Sequence, residues 1–315
     1  MKIAYFDCIA GASGDMILGA LLDAGLSETY LREQLGKLHL EGFELNCYRV
    51  DKLGFSAVKV DVITADDAPA RHLPDIEAVV QQSDLPDKIK TKAVALFRRL
   101  GEVEAGIHNA PLEQVHLHEL GGLDTIVDIV GALVGLDALG IEKVVVSPLP
   151  MGRGFVKGAH GQIPLPAPAT LALLKGVPIV GSDLTKELVT PTGAVLLSTL
   201  AAEFGEIPTI TLEGIGYGAG GRDLPIPNVL RVMLGEQSGN QPLKTETLVL
   251  LETNVDDLNP ELFSQDQRAP IIVGPKRFFL FSPKNFVFVF TQFHWLIPPP
   301  PSTPIFLEVR LHFYF

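Results

Sequence analysis

The chain has 315 residues, enough to bury a substantial core in one large domain or two ordinary ones. Its formal net charge of −12 argues against binding of nucleic acid or of an acidic membrane surface by bulk electrostatics. The two cysteines, Cys8 and Cys47, make no C-x-x-C pair and no disulfide framework, which fits a reducing cytoplasm and excludes a thiolate metal cage.

In chain order, the apolar run Lys2 to Asp7 predicts a strand, with no basic segment and long apolar run ahead of it to suggest a signal peptide. Helices are predicted over Asp15 to Ala24 and Glu28 to Leu38, and strands near Phe43 to Val50 and Ala57 to Ile63. Further helices follow at Pro74 to Gln82, Lys88 to Gly106 and Asp124 to Leu139, then a buried strand at Val144 to Ser147. Pro168 to Lys175 and Thr192 to Phe204 read as helices, with strands near Thr209, Val229 and Leu248. No stretch reaches the length of a membrane span. The mixture implies an α/β to α+β fold, a mixed sheet with flanking helices, and no internal repeat.

Composition changes sharply near Ser264. From there onward only Asp266 and Glu308 are acidic against five basic residues, and ten of the seventeen phenylalanines fall in these last 52 residues. This tail has a proline run and no sustained period of 2 or 3.6. One reading is an aromatic docking or membrane-touching segment; the other is a stretch translated in a different frame from the preceding domain. The second is favoured, because long apolar runs without gatekeeper charges are aggregation hazards.

The most informative stretch is VHLHELGGLDTIVDIVG, Val115 to Gly131. If its first residues form a strand, His116 and His118 point to one face and Glu119 to the other. Asp124 and Asp128, four apart at the start of a helical pattern, share one helical edge. Imidazole with carboxylate is a ligand set that suits nickel, zinc, iron or manganese. The structural alternative has Asp124 capping the helix, Asp128 solvated and the histidines satisfied by carbonyls.

Three glycine-rich segments could approach a ligand. In DCIAGASGDMILGALLDAG, Gly11 and Gly14 permit a tight turn, Ser13 can cap, and the helix N-terminus would hold an anion. The spacing matches neither a dinucleotide fingerprint nor a P-loop, and Asp7 and Asp15 would require a divalent cation to bridge any phosphate. In MGRGFVKGAHGQIPLPAPAT, the cations Arg153, Lys157 and His160 sit on a loop that could seat a phosphate or carboxylate. In GIGYGAGGRDLPIPN the glycine density suits either close approach to a ligand or a hairpin or bulge, with Arg222 a secondary candidate. VTPTGAVLL offers Thr190 as N-cap and Pro191 at the first helical position, with Thr192 and Gly193 able to meet an anion.

Together FDCIAGASGDMILGALLDAG, VHLHELGGLDTIVDIVG, SPLPMGRGFVKGAHGQIPLPAPATLALLKG, ELVTPTGA, GIGYGAGGRDLPIPNVLRV and LETNVDDLNPEL resemble the LarC family of nickel insertion proteins, from Met1 to about Phe263. The resemblance implies a CTP-dependent, nickel-inserting cyclometallase of the lyase class. Its substrate would be a dithiolated pyridinium mononucleotide, and its product the nickel-pincer cofactor of lactate racemase. It also implies use of CTP with Mg or Mn; the cysteine usage, charge and hydropathy above add the expectation of a cytoplasmic protein, free or as a homo-oligomer, that touches neither nucleic acid nor membrane.

By motif position, His116, His118 and Glu119 would hold or hand over nickel, with Asp124 and Asp128 orienting them or completing the coordination. Asp7, Ser13 and Asp15, on the turn that contains Gly11 and Gly14, would bind a cation and a phosphate group. Arg153, Lys157 and His160 would hold the substrate's phosphate or carboxylate-derived groups, with Arg222 in reserve.

Two features depart from the family. The histidine-rich tract that many members carry is reduced here to His72, in ADDAPARHLPDI, which weakens a metal-storage role. The family's second domain, associated with the nucleotide, is replaced by the aromatic tail. The implied organisation is a family-type N-terminal α/β domain over 1–245, the start of the second domain over 246–263, and a tail over 264–315 that is out of frame or truncated. A separately encoded or frameshift-joined C-terminal domain would then be a partner. Two other readings remain open: a metal-dependent hydrolase with an H-x-H site, and a non-catalytic nickel carrier.

Overall fold

The computed structural model describes residues 1–64, 71–112, 115, 117, 121–158 and 161–237, together with the strand segments 250–252, 287–289 and 310–312. The chain divides into two compact units, Met1–Gly239 and Asn240–Phe315.

The first unit is built on β1 (Lys2–Asp7), whose residues Ile3 to Phe6 are all buried. A strand covered on both faces reads as a continuous apolar run, and this one is central in its sheet. Ala4 and Phe6 face the main core, whereas Ile3 and Tyr5 face a smaller cluster with Val145. β1 pairs parallel with β4 (Lys143–Val146) and antiparallel with β11 (Val229–Glu236). The other four of the sheet's seven strands follow on either side: β10 (Thr211–Ala219), β3 (Phe55–Thr64) and β2 (Phe43–Lys52) beyond β11, and β9 (Ala201–Phe204) beyond β4. The order is β2-β3-β10-β11-β1-β4-β9, with parallel and antiparallel neighbours mixed as expected.

The main core lies between one face of this sheet and the helices α1 (Gly14–Asp23), α2 (Glu28–Gly36), α3 (Leu73–Gln82), α4 (Asp87–His108), α5 (Leu123–Ala138), α6 (Pro168–Leu173) and α7 (Pro191–Leu200). The expected helices are present with ends shifted by a few residues, except one. The helix expected over Thr192 to Phe204 stops at Leu200, and Ala201–Phe204 becomes an edge strand whose Ala201 pairs with Val144. The unpaired edge of β4 offers those residues backbone hydrogen bonds that a last helical turn on the surface would not match.

Two glycine-rich segments are more regular than expected. The stretch around Arg153 and Lys157 forms a hairpin, β6 (Gly154–Gly158) and β7 (Gly161–Leu165), beside the short parallel pair β5 (Leu149–Met151) and β8 (Ile179–Gly181). All of GIGYGA lies within β10, and its glycines serve packing. A Cβ at Gly218 would strike the Met16 carbonyl and one at Gly216 the Ala20 carbonyl, so their absence lets α1 lie directly on the strand.

The second unit contains β12 (Leu250–Glu252) paired antiparallel with both β13 (Val287–Val289) and β14 (Arg310–His312). Among the described residues no helix is long and apolar enough to cross a membrane.

A cleft where three helices begin

After β1 the chain turns at Gly11, with φ +113°, and Gly11 N–H donates to the Cys8 carbonyl at 3.1 Å. Ala12 then pairs with the segment ahead of α7: its N–H donates to the Leu188 carbonyl at 2.9 Å, and its carbonyl accepts from Thr190 N–H at 3.0 Å. Gly193 has no Cβ to collide with that Ala12 carbonyl. These bonds set the starts of α1 and α7 side by side, and the start of α5 joins them around a cleft of about 690 Å³.

The first four N–H groups of a helix lack intrahelical partners, and the helix dipole places partial positive charge there. Thr190 caps α7 as expected, its Oγ1 accepting from Gly193 N–H at 3.2 Å. Ser13 occupies the N-cap of α1 but does not cap it; its hydroxyl donates to Asp15 instead. The N-cap of α5 is Gly122, so α1 and α5 both begin without a side-chain cap.

Asp15 is also held by Lys59, 2.7 Å away on β3, and Lys59 reaches Asp61 at 2.9 Å. Burial works against the Lys59 ammonium, but Asp15 and Asp61 outweigh it and hold its pKa above the ordinary lysine value. Asp61 accepts from the Tyr48 hydroxyl at 2.7 Å. Desolvation opposes its charge, yet the bonds from Tyr48 and Lys59 prevail and lower its pKa.

Asp128 differs from both. It lines the cleft at 9 % exposure, and its Oδ1 is buried without a hydrogen-bond partner among the described residues. Burial, followed by the like charges of Asp15 and Asp124 and opposed by Lys59, pushes its carboxyl well above the usual carboxylate range. A Cβ on Gly14 would collide with this carboxylate, so the bare backbone of α1 makes its place. The structure thus corrects the solvated alternative for Asp128, and Asp124 sits in the first turn of α5 without being its cap.

The cleft is also lined by Glu104 and His108 at the end of α4, paired at 3.2 Å, and by Lys157 and Gln162 on the hairpin. Glu187 lines the cleft and accepts from Arg222 at 2.5 Å.

Of the residues singled out from sequence, the structure brings Ser13, Gly14, Asp15, Asp124, Asp128 and Lys157 together on this cleft. Four others are placed elsewhere. Asp7 is engaged by Arg231 across the β1–β11 register, and Gly11 packs against the Leu188 backbone. Arg153 pairs on the surface with Asp183 at 3.0 Å, and Arg222 meets the cleft only through Glu187. His116, His118, Glu119 and His160 lie outside the described residues. Leu117, within the same motif, is buried and lines the cleft. Among the described residues no group of three or more His, Cys, Asp or Glu side chains forms a metal-holding cluster. Both thiols are withheld from ligation: burial pushes Cys8 up to about 12 and Cys47 up to about 11.

Sequence reasoning missed Lys59, Asp61, Glu104, His108 and Glu187. A detectable signal existed for Lys59, a cation set between Val58 and Val60 in a strand-like run. Glu104 and His108 also had one, an i,i+4 pair on a helix whose neighbours are apolar.

A mixed sheet carrying helices on one face, with several of their N-termini gathered around a charged cleft, is the architecture of an α/β protein that handles a small polar ligand. The chain belongs to the nickel insertion protein family, which it matches over residues 4–269. It is similar to two proteins named pyridinium-3,5-bisthiocarboxylic acid mononucleotide nickel insertion protein, from two strains of Desulfitobacterium hafniense. Each is 48 % identical over 267 residues, covering 84 % of this chain and 66 % of the relative. The chain therefore spans just under two thirds of the length of these relatives. No solved structure matches it.

Proposed function

We propose that this chain is the substrate-binding part of an enzyme that inserts nickel into a pyridinium-3,5-bisthiocarboxylic acid mononucleotide. The observation that carries the reading is the mixed polarity of the cleft. The uncapped starts of α1 and α5, with Lys157, suit a phosphate, whereas Asp15, Asp61, Asp124 and Glu104 suit cations. A pyridinium mononucleotide awaiting nickel presents both: an anionic phosphate and a cationic ring to be joined by a metal ion. Relatives named for that reaction support the same substrate.

The two thiocarboxylates at ring positions 3 and 5 flank C4, so nickel held by both sulfurs is brought against that carbon. A nickel–carbon bond there displaces the C4 proton, which makes the reaction a cyclometallation. His116, His118 and Glu119 are the proposed donors of nickel; their motif contains Leu117, which lines the cleft. Ser13 and Gly14 would orient the phosphate end, with Asp15 joined to it only through a cation, and Lys157, with His160 close to it in sequence, would close on it from the hairpin. Dependence on CTP with Mg or Mn, a cytoplasmic setting and delivery of the product to lactate racemase belong to the same reading. No residue of the cleft is assigned to CTP; its site is placed in the part of the longer relatives that this chain does not span. The tail from residue 264 is read as out of frame with that part.

The test is reconstitution: the 315-residue chain with nickel, CTP, a divalent cation and the pyridinium nucleotide, scored by mass spectrometry. The chain is expected to bind the nucleotide and to yield nickel product only when a family C-terminal domain is supplied. Absence of nucleotide binding would overturn the substrate reading. Unchanged nickel affinity after replacing His116 and His118 by alanine would overturn the metal assignment.

A further inference from the structure

We propose that Lys59 is a positioning residue: by gripping Asp15 it keeps that carboxylate off the opening amides of α1, which stay available to the phosphate of the nucleotide. This rests on the substrate reading above and deepens it.

Lys59 lines the cleft, and a lysine there would ordinarily be assigned to the phosphate itself. Its hydrogen bonds argue otherwise. An ammonium has three protons, and Lys59 Nζ donates at 2.7 Å to Asp15 Oδ2, at 2.9 Å to Asp61 Oδ1 and at 2.8 Å to the Val60 carbonyl. No proton is left for a ligand. Asp61 is fixed in turn, its Oδ2 accepting from the Tyr48 hydroxyl at 2.7 Å. The backbone below is fixed as well. A Cβ on Gly19 would meet the Val58 carbonyl at 2.3 Å, so α1 lies directly on β3, and Asp15, one turn before Gly19, comes to the residue after Val58.

This hold decides what happens where α1 begins. Asp15 is in the first turn, where a carboxylate is attracted to the unpaired N–H groups and their partial positive charge. Neither of its oxygens is used in that way: Oδ2 takes Lys59 and Oδ1 takes the Ser13 hydroxyl. Ser13 has the extended backbone of an N-cap, φ −140° and ψ 168°, yet its side chain does not cap the helix. The start of α7, on the same cleft, shows the ordinary arrangement. It has no acidic residue in its first turn, and Thr190 Oγ1 accepts from Gly193 N–H. What distinguishes α1 is Asp15 and its tether. Released from Lys59, Asp15 would turn to the amides of its own helix and compete there with a phosphate.

The experiment measures by calorimetry how the 315-residue chain binds the pyridinium mononucleotide and the nucleoside that lacks its phosphate. Hydrogen exchange of the Asp15 and Met16 amides is followed without ligand. Wild type should bind the nucleotide at least about tenfold more tightly than the nucleoside. Lys59→Met should lose that preference, bind the nucleoside within about threefold of wild type, and slow the exchange of both amides. Adding Asp15→Ala to Lys59→Met should restore the preference and the faster exchange. Lys59→Gln, which keeps a donor for Asp61, carries the test if the Met variant fails to fold. A double variant as indifferent to the phosphate as Lys59→Met would make Lys59 itself a phosphate ligand and overturn the assignment. So would a Lys59→Met chain whose two amides exchange as in wild type, because Asp15 would not have moved. A wild-type chain that binds both compounds alike overturns the inference and leaves the substrate reading standing; one that binds neither overturns both.

Discussion

At the scale of single residues, Asp128 and Lys59 make opposite predictions. The carboxyl of Asp128 is raised in the folded chain by burial and by Asp15 and Asp124, so between its unfolded and folded pKa values the folded state binds more protons than the unfolded. Stability contributed by this group therefore falls as pH rises above about 4 and levels off beyond the folded pKa. Asp128→Asn removes that dependence. The difference in melting temperature between variant and wild type should move in the variant's favour from pH 4 to pH 8, and a flat difference would contradict the raised carboxyl. Lys59 joins Asp15 to Asp61 with its side chain 12 % exposed. Lys59→Met leaves two carboxylates without their cation and should cost about 2–3 kcal/mol in a denaturant titration at pH 7. Loss of less than half of that would mean that the pair is screened by solvent. The contrast also shows what could be read in advance. Asp15 and Asp128 were visible because they stand in motifs dense with glycine and histidine. Lys59 carried a weaker signal, a cation between two valines, which reads as an ordinary solvated strand residue until the third dimension brings α1 to it.

At the scale of elements, the glycines of β10 show how a correct observation can carry the wrong cause. Their density signalled close approach of something to the backbone. That something is α1, which lies nearly two hundred residues earlier in the chain and which no local pattern connects to them. Gly218 is the sharpest case, because the obstacle to a side chain there is the Met16 carbonyl, and backbone cannot swing aside as a side-chain tip can. Gly218→Ala should therefore cost about 3 kcal/mol, near the upper end for overpacking, with a lowered denaturation midpoint and an unchanged denaturant slope. A loss under about 1 kcal/mol would show that α1 can slide on the strand. The same distinction between local and distant cause separates the legible elements from the others. β1, β4 and α5 are long or strongly apolar and declare themselves through periodicity alone. β9 does not, since Ala201–Phe204 continues the apolar pattern of α7 and becomes a strand only because β4 presents a free edge. The hairpin around Lys157 was hidden by its glycines, which locally announce a loop.

At the scale of the whole molecule, the order of strands decides which truncations survive. β11 comes last along the first unit yet sits in the middle of the sheet, hydrogen-bonded to β1 on one side and β10 on the other. It also buries Val229, Leu230, Val232 and Leu234. A chain ending at residue 228 therefore splits the sheet into β2-β3-β10 and β1-β4-β9 and exposes the apolar faces of both halves, even though every lining residue of the cleft is still present. A chain ending at residue 239 keeps all seven strands, the helices and the cleft, whose lining residues run from Ser13 to Thr192. The 1–239 chain is expected to unfold in one cooperative transition and to bind the pyridinium nucleotide within about threefold of the 315-residue chain, a difference under 1 kcal/mol. The 1–228 chain is expected to lack a cooperative transition by calorimetry and to bind nothing. If 1–239 loses binding while keeping its transition, residues beyond 239 contribute to the site and the cleft is incomplete. If 1–228 folds and binds, β11 is not the keystone that its place in the sheet implies, and the cleft is held by the helices alone.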